Sequence, residues 1–240
     1  MKSLICVCAC VLLAAGCSTP GPGGSVSGKS SGDVLKLGVL TPNKDAVTLL
    51  TAATGILVAD GKLDEPAWKQ AAAMGDFILG RSQRPEVDTR VLATYDKDNL
   101  YIAVVCAEPA TDKLVANAKG PDGNVWSDDS VEIYIDPGCQ KTRDYYGFMV
   151  NSRNVTYDRK LVEKWSGTWA SGASVIPGQA WIAETAIPFK TLEMTAAAGT
   201  KLGLMVARTR KAGGQPQTFY LVPCDNEAKK TSVYPVFELK

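Results

Sequence analysis

Apolar and polar positions alternate in short segments over most of the chain from about residue 56 onward, and turn residues separate these segments. Residues 90–95 alternate in this way, residues 96–99 are polar, and residues 100–106 form a strongly apolar run. Two extended segments joined by a short polar connection predict a β-hairpin.

Residues 129–136 show the alternation clearly. Three apolar side chains point to one face of the predicted strand, and Glu132 and Tyr134 point to the other. Further strands are predicted at 145–151, 155–158, 173–176, 181–187, 201–210, 218–222 and 236–239.

Helical signals are few. Residues 65–72 fit one or two turns, with Pro66 suited to the first turn of a helix, and a second short helix is expected after Phe189. About ten short strands with little helix predict an all-β fold, a two-sheet antiparallel β-sandwich with one or two short helices.

The N-terminus has the pattern of an export signal. Lys2 precedes an apolar run over residues 4–15, which is too short to span a bilayer but fits the core of a signal peptide. The junction LAAGC, ending at Cys17, resembles the lipobox of bacterial lipoproteins, although its Leu lies four residues before the Cys rather than three. The resemblance implies cleavage after residue 16 and lipid on Cys17; the alternative is an ordinary cleaved signal with an incidental cysteine.

A Gly/Ser/Pro-rich segment follows at residues 18–32 and is expected to be a flexible tether. Residues 33–55 have no sustained period and are expected to be a poorly ordered lead-in or an edge strand. The predicted organisation is therefore a signal peptide at 1–16, an anchor and tether at 17–55 and one β-sandwich domain at 56–240.

Composition excludes several function classes. The formal net charge is +1, so no extended basic surface exists and nucleic acid is not an expected partner. The chain has no histidine, which excludes Ser-His-Asp and Cys-His catalytic sets and histidine metal sites. If the strands at 100–106 and 129–136 pair with each other, Cys106 and Cys139 lie roughly 20 Å apart, beyond the ~7 Å Cα separation of a disulfide.

Five segments, in order along the chain, resemble the family 9 carbohydrate-binding modules. They are ILVADGKLDEPAW at 56–68, YDKDNLYIA at 95–103, WSDDSVEIYID at 126–136, FMVN at 148–151 and AETAIP at 183–188. The third segment is similar to the most diagnostic stretch of the family, W-x-x-D-S-V-E-I-x-I-D.

The resemblance implies an exported, non-catalytic domain that binds plant-type polysaccharide, xylan or β-glucan, often beside secreted glycoside hydrolases. The carbohydrate-binding residues that it indicates are Trp126, Glu132, Asn151, Arg208 and Tyr234. No cofactor is expected, and calcium is considered only as a structural ion.

The binding pattern of the family is incomplete here. A second tryptophan expected near the C-terminus is missing, and Tyr234 is the only aromatic candidate. The family's arginine falls on Met149, and its later polar residues fall on Met205 and Ala207. Trp126 could stack on a sugar ring or cap the end of the sandwich, and Glu132 could accept hydrogen bonds from sugar hydroxyls or form an ion pair with Arg208.

Other candidate residues have alternative structural roles. Trp68 and Trp181 are predicted core residues. Trp165 and Trp169 are expected to pack in a loop, although they could form a second stacking surface. Asp128 and Asp129 are expected to be solvated turn carboxylates, with calcium ligation as the alternative.

Three functions compete at this point. The first is membrane-anchored, non-catalytic carbohydrate binding in the cell envelope. The second is an envelope scaffold or interaction protein that has lost sugar binding. The third is a glycoside hydrolase that pairs Glu132 with Asp128 or Glu184.

Overall fold

The computed structural model describes residues 39–161, 163–224 and 227–240, and the predicted signal peptide and Cys17 lie outside them. The described residues form fourteen strands: β1 (Val47–Leu50), β2 (Ala72–Met74), β3 (Ile78–Leu79), β4 (Thr89–Tyr95), β5 (Asn99–Ala107), β6 (Ser130–Pro137), β7 (Tyr146–Asn151), β8 (Thr156–Lys160), β9 (Glu163–Lys164), β10 (Ala170–Ile176), β11 (Ala180–Pro188), β12 (Lys201–Arg210), β13 (Gln217–Tyr220) and β14 (Val236–Leu239).

The strands form two sheets, which confirms the predicted β-sandwich. The smaller sheet has the order β10-β11-β5-β4-β2, and all its neighbours are antiparallel. The larger sheet runs β1-β14-β12-β6-β7-β8-β9, with β13 beside β12 and β3 beside β13. Among the described strands of this sheet, β1 and β14 form the only parallel pair. The lead-in thus contributes an edge strand, one of its two predicted forms.

Helical structure is limited to 3₁₀ turns in the described residues. They are Pro66–Gln70, Thr111–Lys113, Val125–Ser127 and Thr231–Val233. The first confirms the short helix predicted around Pro66. The helix predicted after Phe189 was wrong, because the chain there makes turn hydrogen bonds, such as Thr191 N–H to the Pro188 carbonyl at 2.9 Å, and continues extended. No helix of the described residues is long and apolar enough to cross a membrane.

The main core lies between the two sheets. The alternating side chains Val131, Ile133 and Ile135 of β6 are fully buried there, together with Trp181. Glu132 and Tyr134 lie on the opposite face of β6, which is turned away from the other sheet, and Tyr134 is also fully buried there.

A second, smaller core covers the outer face of the five-stranded sheet. Leu57, Leu63 and Trp68 of the N-terminal segment pack there against Tyr101 and Val105 of β5. The strand β5 is therefore buried on both faces, which explains why its sequence is apolar without alternation. Trp68 and Trp181 are both core residues, as predicted.

The strand order differs from one sequence expectation. The hairpin of β4 and β5 is confirmed, but β5 and β6 lie in different sheets and do not pair. The predicted separation of Cys106 and Cys139 was therefore based on a strand pair that does not form. Both cysteines are free thiols, one buried between the sheets and the other in the turn after β6.

Candidate functional site

A cleft of about 900 Å³ lies on the outer face of the nine-stranded sheet. Its floor is one row of side chains that crosses five neighbouring strands, β13, β12, β6, β7 and β8. The row consists of Tyr220, Ala207, Glu132, Met149 and Tyr157. Four strand spacings make this floor about 19 Å wide.

Trp126 stands at one end of this row. It belongs to the 3₁₀ turn Val125–Ser127 that leads into β6, and its side chain is 44% exposed. Its ring meets Tyr157 edge to face, with the centroids 5.1 Å apart. The indole is thus packed against β8 and also lines the cleft, where an exposed aromatic ring can stack on a sugar.

Glu132 lies half-buried at the centre of the floor. The hydroxyl of Tyr134 donates a hydrogen bond to its carboxylate. Burial raises the pKa of Glu132 above its usual value, while the Tyr134 hydrogen bond and the positive charges of Lys229 and Arg159 limit the rise. The carboxylate is thus oriented by Tyr134, and it faces a cleft where hydroxyl groups could donate to it.

Gly147 makes room for two of the side chains that line the cleft. It lies on β7 opposite Tyr134 on β6 and Arg159 on β8. A Cβ atom at Gly147 would lie 3.0 Å from Cγ of Arg159 and 3.2 Å from the ring of Tyr134. The missing side chain lets these two groups approach each other over the strand.

Three of the predicted binding residues lie outside the cleft. Asn151 is fully buried: its amide donates to Asp128 at 2.8 Å, and its carbonyl oxygen accepts from the backbone N–H groups of Arg153 and Val155. Tyr234 is fully buried, and its hydroxyl donates to the carbonyl of Ala228 at 2.7 Å. Neither side chain has a surface that a sugar could reach.

Arg208 is also fully buried, because it points from β12 to the side opposite the cleft. Its guanidinium donates to the carbonyl of Ala107 at 2.9 Å and lies 3.4 Å from Glu108. The suggested ion pair between Glu132 and Arg208 was therefore wrong. Glu132 pairs with Ala207, the residue before Arg208. Consecutive residues of a strand face opposite sides of the sheet, so Arg208 faces away from Glu132.

Asp128 and Asp129 are buried rather than solvated, contrary to the expectation from their turn position. Both oxygens of Asp128 accept from the backbone N–H groups of residues 117 and 118. Both oxygens of Asp129 accept from backbone N–H groups of residues 115, 211 and 212. These bonds already use the carboxylates to tie loops, and the described residues hold no group of three or more potential metal-ligating side chains.

The hydrolase alternative fails on position. Asp128 and Glu184 are enclosed and do not line the cleft, so the carboxylate pairs considered for glycoside hydrolysis are not assembled around it. Trp165 and Trp169 are half-buried and pack edge-on against Phe148, with centroid distances of 6.2 and 5.1 Å. They pack within the domain, as expected, and they also line two smaller pockets.

Several cleft residues were not singled out from the sequence. Tyr134 could have been, since the alternation places it on the same face as Glu132, and Tyr157 and Arg159 repeat that alternation on β8. Lys229 and Lys230 come from a loop far away in sequence and Arg143 from the loop between β6 and β7, so no strand pattern indicated them. Of the three positions on which the family's polar residues fall, Met149 and Ala207 line the cleft, whereas Met205 is fully buried and does not.

Comparison with known proteins agrees with this architecture. The chain is 30% identical over 166 residues to endo-1,4-beta-xylanase A of Thermotoga neapolitana, a match that covers 62% of this chain and 14% of the xylanase. It thus spans about a seventh of that relative's length.

Two solved structures share the fold. Both are family 9 carbohydrate-binding modules from Caldicellulosiruptor kristjanssonii, one in complex with glucose and one with cellotriose. The first has a TM-score of 0.59 at 18% identity and covers 80% of this chain and 96% of its own; the second has a TM-score of 0.60 at 17% identity and covers 80% and 94%.

The family model for the carbohydrate family 9 binding domain-like proteins matches residues 58–239, which is most of the chain. Members of this family are non-catalytic binding modules. With the predicted sandwich, the ordered motifs and the aromatic cleft all in place, the chain belongs to the carbohydrate family 9 binding domain-like family.

Proposed function

We propose that this protein binds a β-linked plant-type polysaccharide, xylan or β-glucan, in the cleft on its nine-stranded sheet. The observation that carries the proposal is the exposed Trp126 at the end of the polar and aromatic floor around Glu132. An indole face binds the C–H face of a sugar ring, and a carboxylate accepts hydrogen bonds from neighbouring hydroxyls.

The width of the cleft favours extended chains over single sugars. A floor of about 19 Å is several times the width of one sugar ring, so a single ring would leave most of it unused. One exposed aromatic platform and the apolar residues Met149 and Ala207 near Glu132 predict modest affinity. We expect dissociation constants nearer millimolar than micromolar, about −4 to −6 kcal/mol.

Removal of the platform tests the proposal. Trp126→Ala should abolish retention on insoluble xylan and cellulose, measured as the bound fraction of the folded protein after sedimentation. Ile56→Ala is the matched control, because Ile56 is 85% exposed but does not line the cleft, and it should be retained like the parent. Trp68→Ala serves as a contrast: it should cost about 3–5 kcal/mol of folding stability through lost core packing.

Each outcome of the retention assay has a clear meaning. Retention of Trp126→Ala equal to that of the parent would place the binding site elsewhere and contradict the proposal. A folded parent protein that is not retained on either polysaccharide would favour the alternative function, an envelope scaffold that has lost sugar binding.

The proposal includes a location. The apolar run at residues 4–15, Cys17 and the Gly/Ser/Pro segment after it support export and attachment to the cell-envelope membrane through lipid on Cys17. A lipid anchor requires no spanning helix. The likeness to part of a xylanase supports a role beside secreted glycoside hydrolases, where the domain would hold substrate near the envelope.

A further inference from the structure

Positive charge is concentrated at the cleft. Four cationic side chains line it, against two carboxylates. The cations are Arg143, Arg159, Lys229 and Lys230, and the carboxylates are Glu132 and Glu227. The whole chain has a formal charge of only +1, so the excess at the cleft is a local feature rather than a consequence of a basic protein.

Most of this charge is not neutralised by the described residues. Lys230 is paired with Glu227 at 3.0 Å. The side chains of Arg143 and Lys229 form no ion pair or hydrogen bond with any described residue. Arg159 uses only Nε, which donates to the carbonyl of Leu161 at 2.5 Å, while its guanidinium lies 5.9 Å from the ring centre of Tyr145.

Glu132 by itself cannot neutralise the three remaining cations, Arg143, Arg159 and Lys229. Lys229 and Arg159 line the cleft together with Glu132, and their charges counter the rise in the pKa of Glu132. One carboxylate balances one of these charges at most. Neutral sugars do not require this excess, whereas a ligand with negative charge gains from each cation that faces no carboxylate.

We propose that the preferred ligand is a saccharide that carries carboxylate groups, such as a uronic acid unit in or on a β-linked chain. The inference rests on the proposed function and names the ligand class of the same cleft. The sugar ring stacks on Trp126, and the carboxylate is bound by Arg159, Lys229 and Arg143. A guanidinium matches a planar carboxylate with two parallel hydrogen bonds, which supplies geometric selectivity as well as charge.

The test compares ligands that differ only in charge. The full chain is titrated with cellotriose, with the β-1,4-linked glucuronic acid trisaccharide and with the methyl ester of that acid, by calorimetry or by NMR. At about 20 mM salt the acid should bind about tenfold more tightly than cellotriose or the ester. This difference is the combined contribution expected of two or three exposed charge contacts. The advantage should shrink in 0.5 M salt, because salt screens exposed charges.

Charge variants locate the effect. Lys229→Gln, and Lys229→Gln combined with Arg143→Gln, should lower the ratio of the affinity for the acid to the affinity for cellotriose stepwise. Lys113→Gln removes an exposed lysine outside the cleft and should preserve the preference.

The failure of this inference is distinguishable from failure of the proposed function. Equal affinity for acid and ester, with both lost in Trp126→Ala, would overturn the charge inference and leave polysaccharide binding in place. A preference for the acid that survives in the double charge variant would also overturn it. If Trp126→Ala binds every ligand as tightly as the parent does, the cleft is not the saccharide-binding site and both proposals are wrong.

Discussion

Glu132 and Glu184 both lie within strands, but their surroundings are opposite. Glu132 on β6 faces the open cleft, whereas Glu184 on β11 is fully buried on the outer face of the smaller sheet. Glu184 accepts hydrogen bonds from the backbone N–H groups of Gly61 at 2.6 Å and Asp60 at 3.1 Å. Gly172, opposite Glu184 on β10, admits this turn, since a Cβ there would lie 2.3 Å from the backbone of Asp60.

Burial raises the pKa of Glu184 to about 8, and the nearby charges of Glu65 and Asp60 act in the same direction. An unfolded glutamate has a pKa of about 4.3, so between about pH 4.3 and 8 the folded state holds a proton that the unfolded state has lost. Stability from this group is therefore fully present below about pH 4.3 and is lost as pH rises toward 8.

Glu184→Gln should remove this pH dependence. The amide keeps an acceptor for the two N–H groups and cannot ionise. Chemical denaturation from pH 5 to 8 measures the free energy of unfolding of both proteins. The value for the variant should rise relative to that for the parent by up to about 1.4 kcal/mol per pH unit. The control Glu163→Gln changes an exposed carboxylate and should track the parent; parallel profiles for the parent and Glu184→Gln would contradict the prediction.

At the scale of elements, an ion-pair cluster ties the two sheets together at one end. Glu108, just after β5 of the smaller sheet, is fully buried and faces Arg208 and Arg210 on β12 of the larger sheet. Arg210 donates from Nε and one terminal nitrogen to the two carboxylate oxygens, at 2.6 and 3.1 Å. Burial by itself would raise the pKa of Glu108, but these bonds and that from the Ala110 N–H hold the pKa below its usual value.

Glu108→Gln should destabilise the protein by about 3–5 kcal/mol, because it leaves Arg208 buried without a compensating charge. Urea unfolding at neutral pH measures the difference. The matched control is Glu86→Gln, which removes the other carboxylate near Arg210; Glu86 is 83% exposed and 3.8 Å away, so its loss should cost less than about 1 kcal/mol. Equal costs for the two variants would show that burial of the cluster does not matter.

At the scale of the whole molecule, the outer faces of the two sheets differ in what covers them. The N-terminal segment with Leu57 and Trp68 closes the outer face of the smaller sheet. The outer face of the larger sheet remains available and holds the cleft.

Cys17→Ala tests the proposed anchor. The parent, expressed in a bacterium that processes lipoproteins, should enter the detergent phase of a partition assay, and the variant should enter the aqueous phase because its lipid is missing. Cys10→Ala lies within the predicted signal core and should behave like the parent. A Cys17→Ala variant that still enters the detergent phase would disprove lipid attachment at this residue.

Local sequence patterns predicted the strands well and the site only in part. The period of two placed Glu132 and Tyr134 on one face of β6 and apolar residues on the other, as the structure confirms. The same reasoning did not show that Arg208 faces away from the cleft, because that depends on the register between β12 and β6. Nor could it show that Asn151 and Asp128 bond to each other, since 23 positions separate them.

The sequence by itself determined the fold class, the family and the identity of Trp126 and Glu132 as candidates, because alternation and ordered motifs are properties of neighbouring residues. Only the tertiary structure decided which sheet each strand joins, that Asp128 and Asp129 are buried loop ties, and that Arg143, Arg159 and Lys229 meet at one cleft. The physical reason is that burial, register and local charge depend on contacts between distant segments, and these arise only when the two sheets pack.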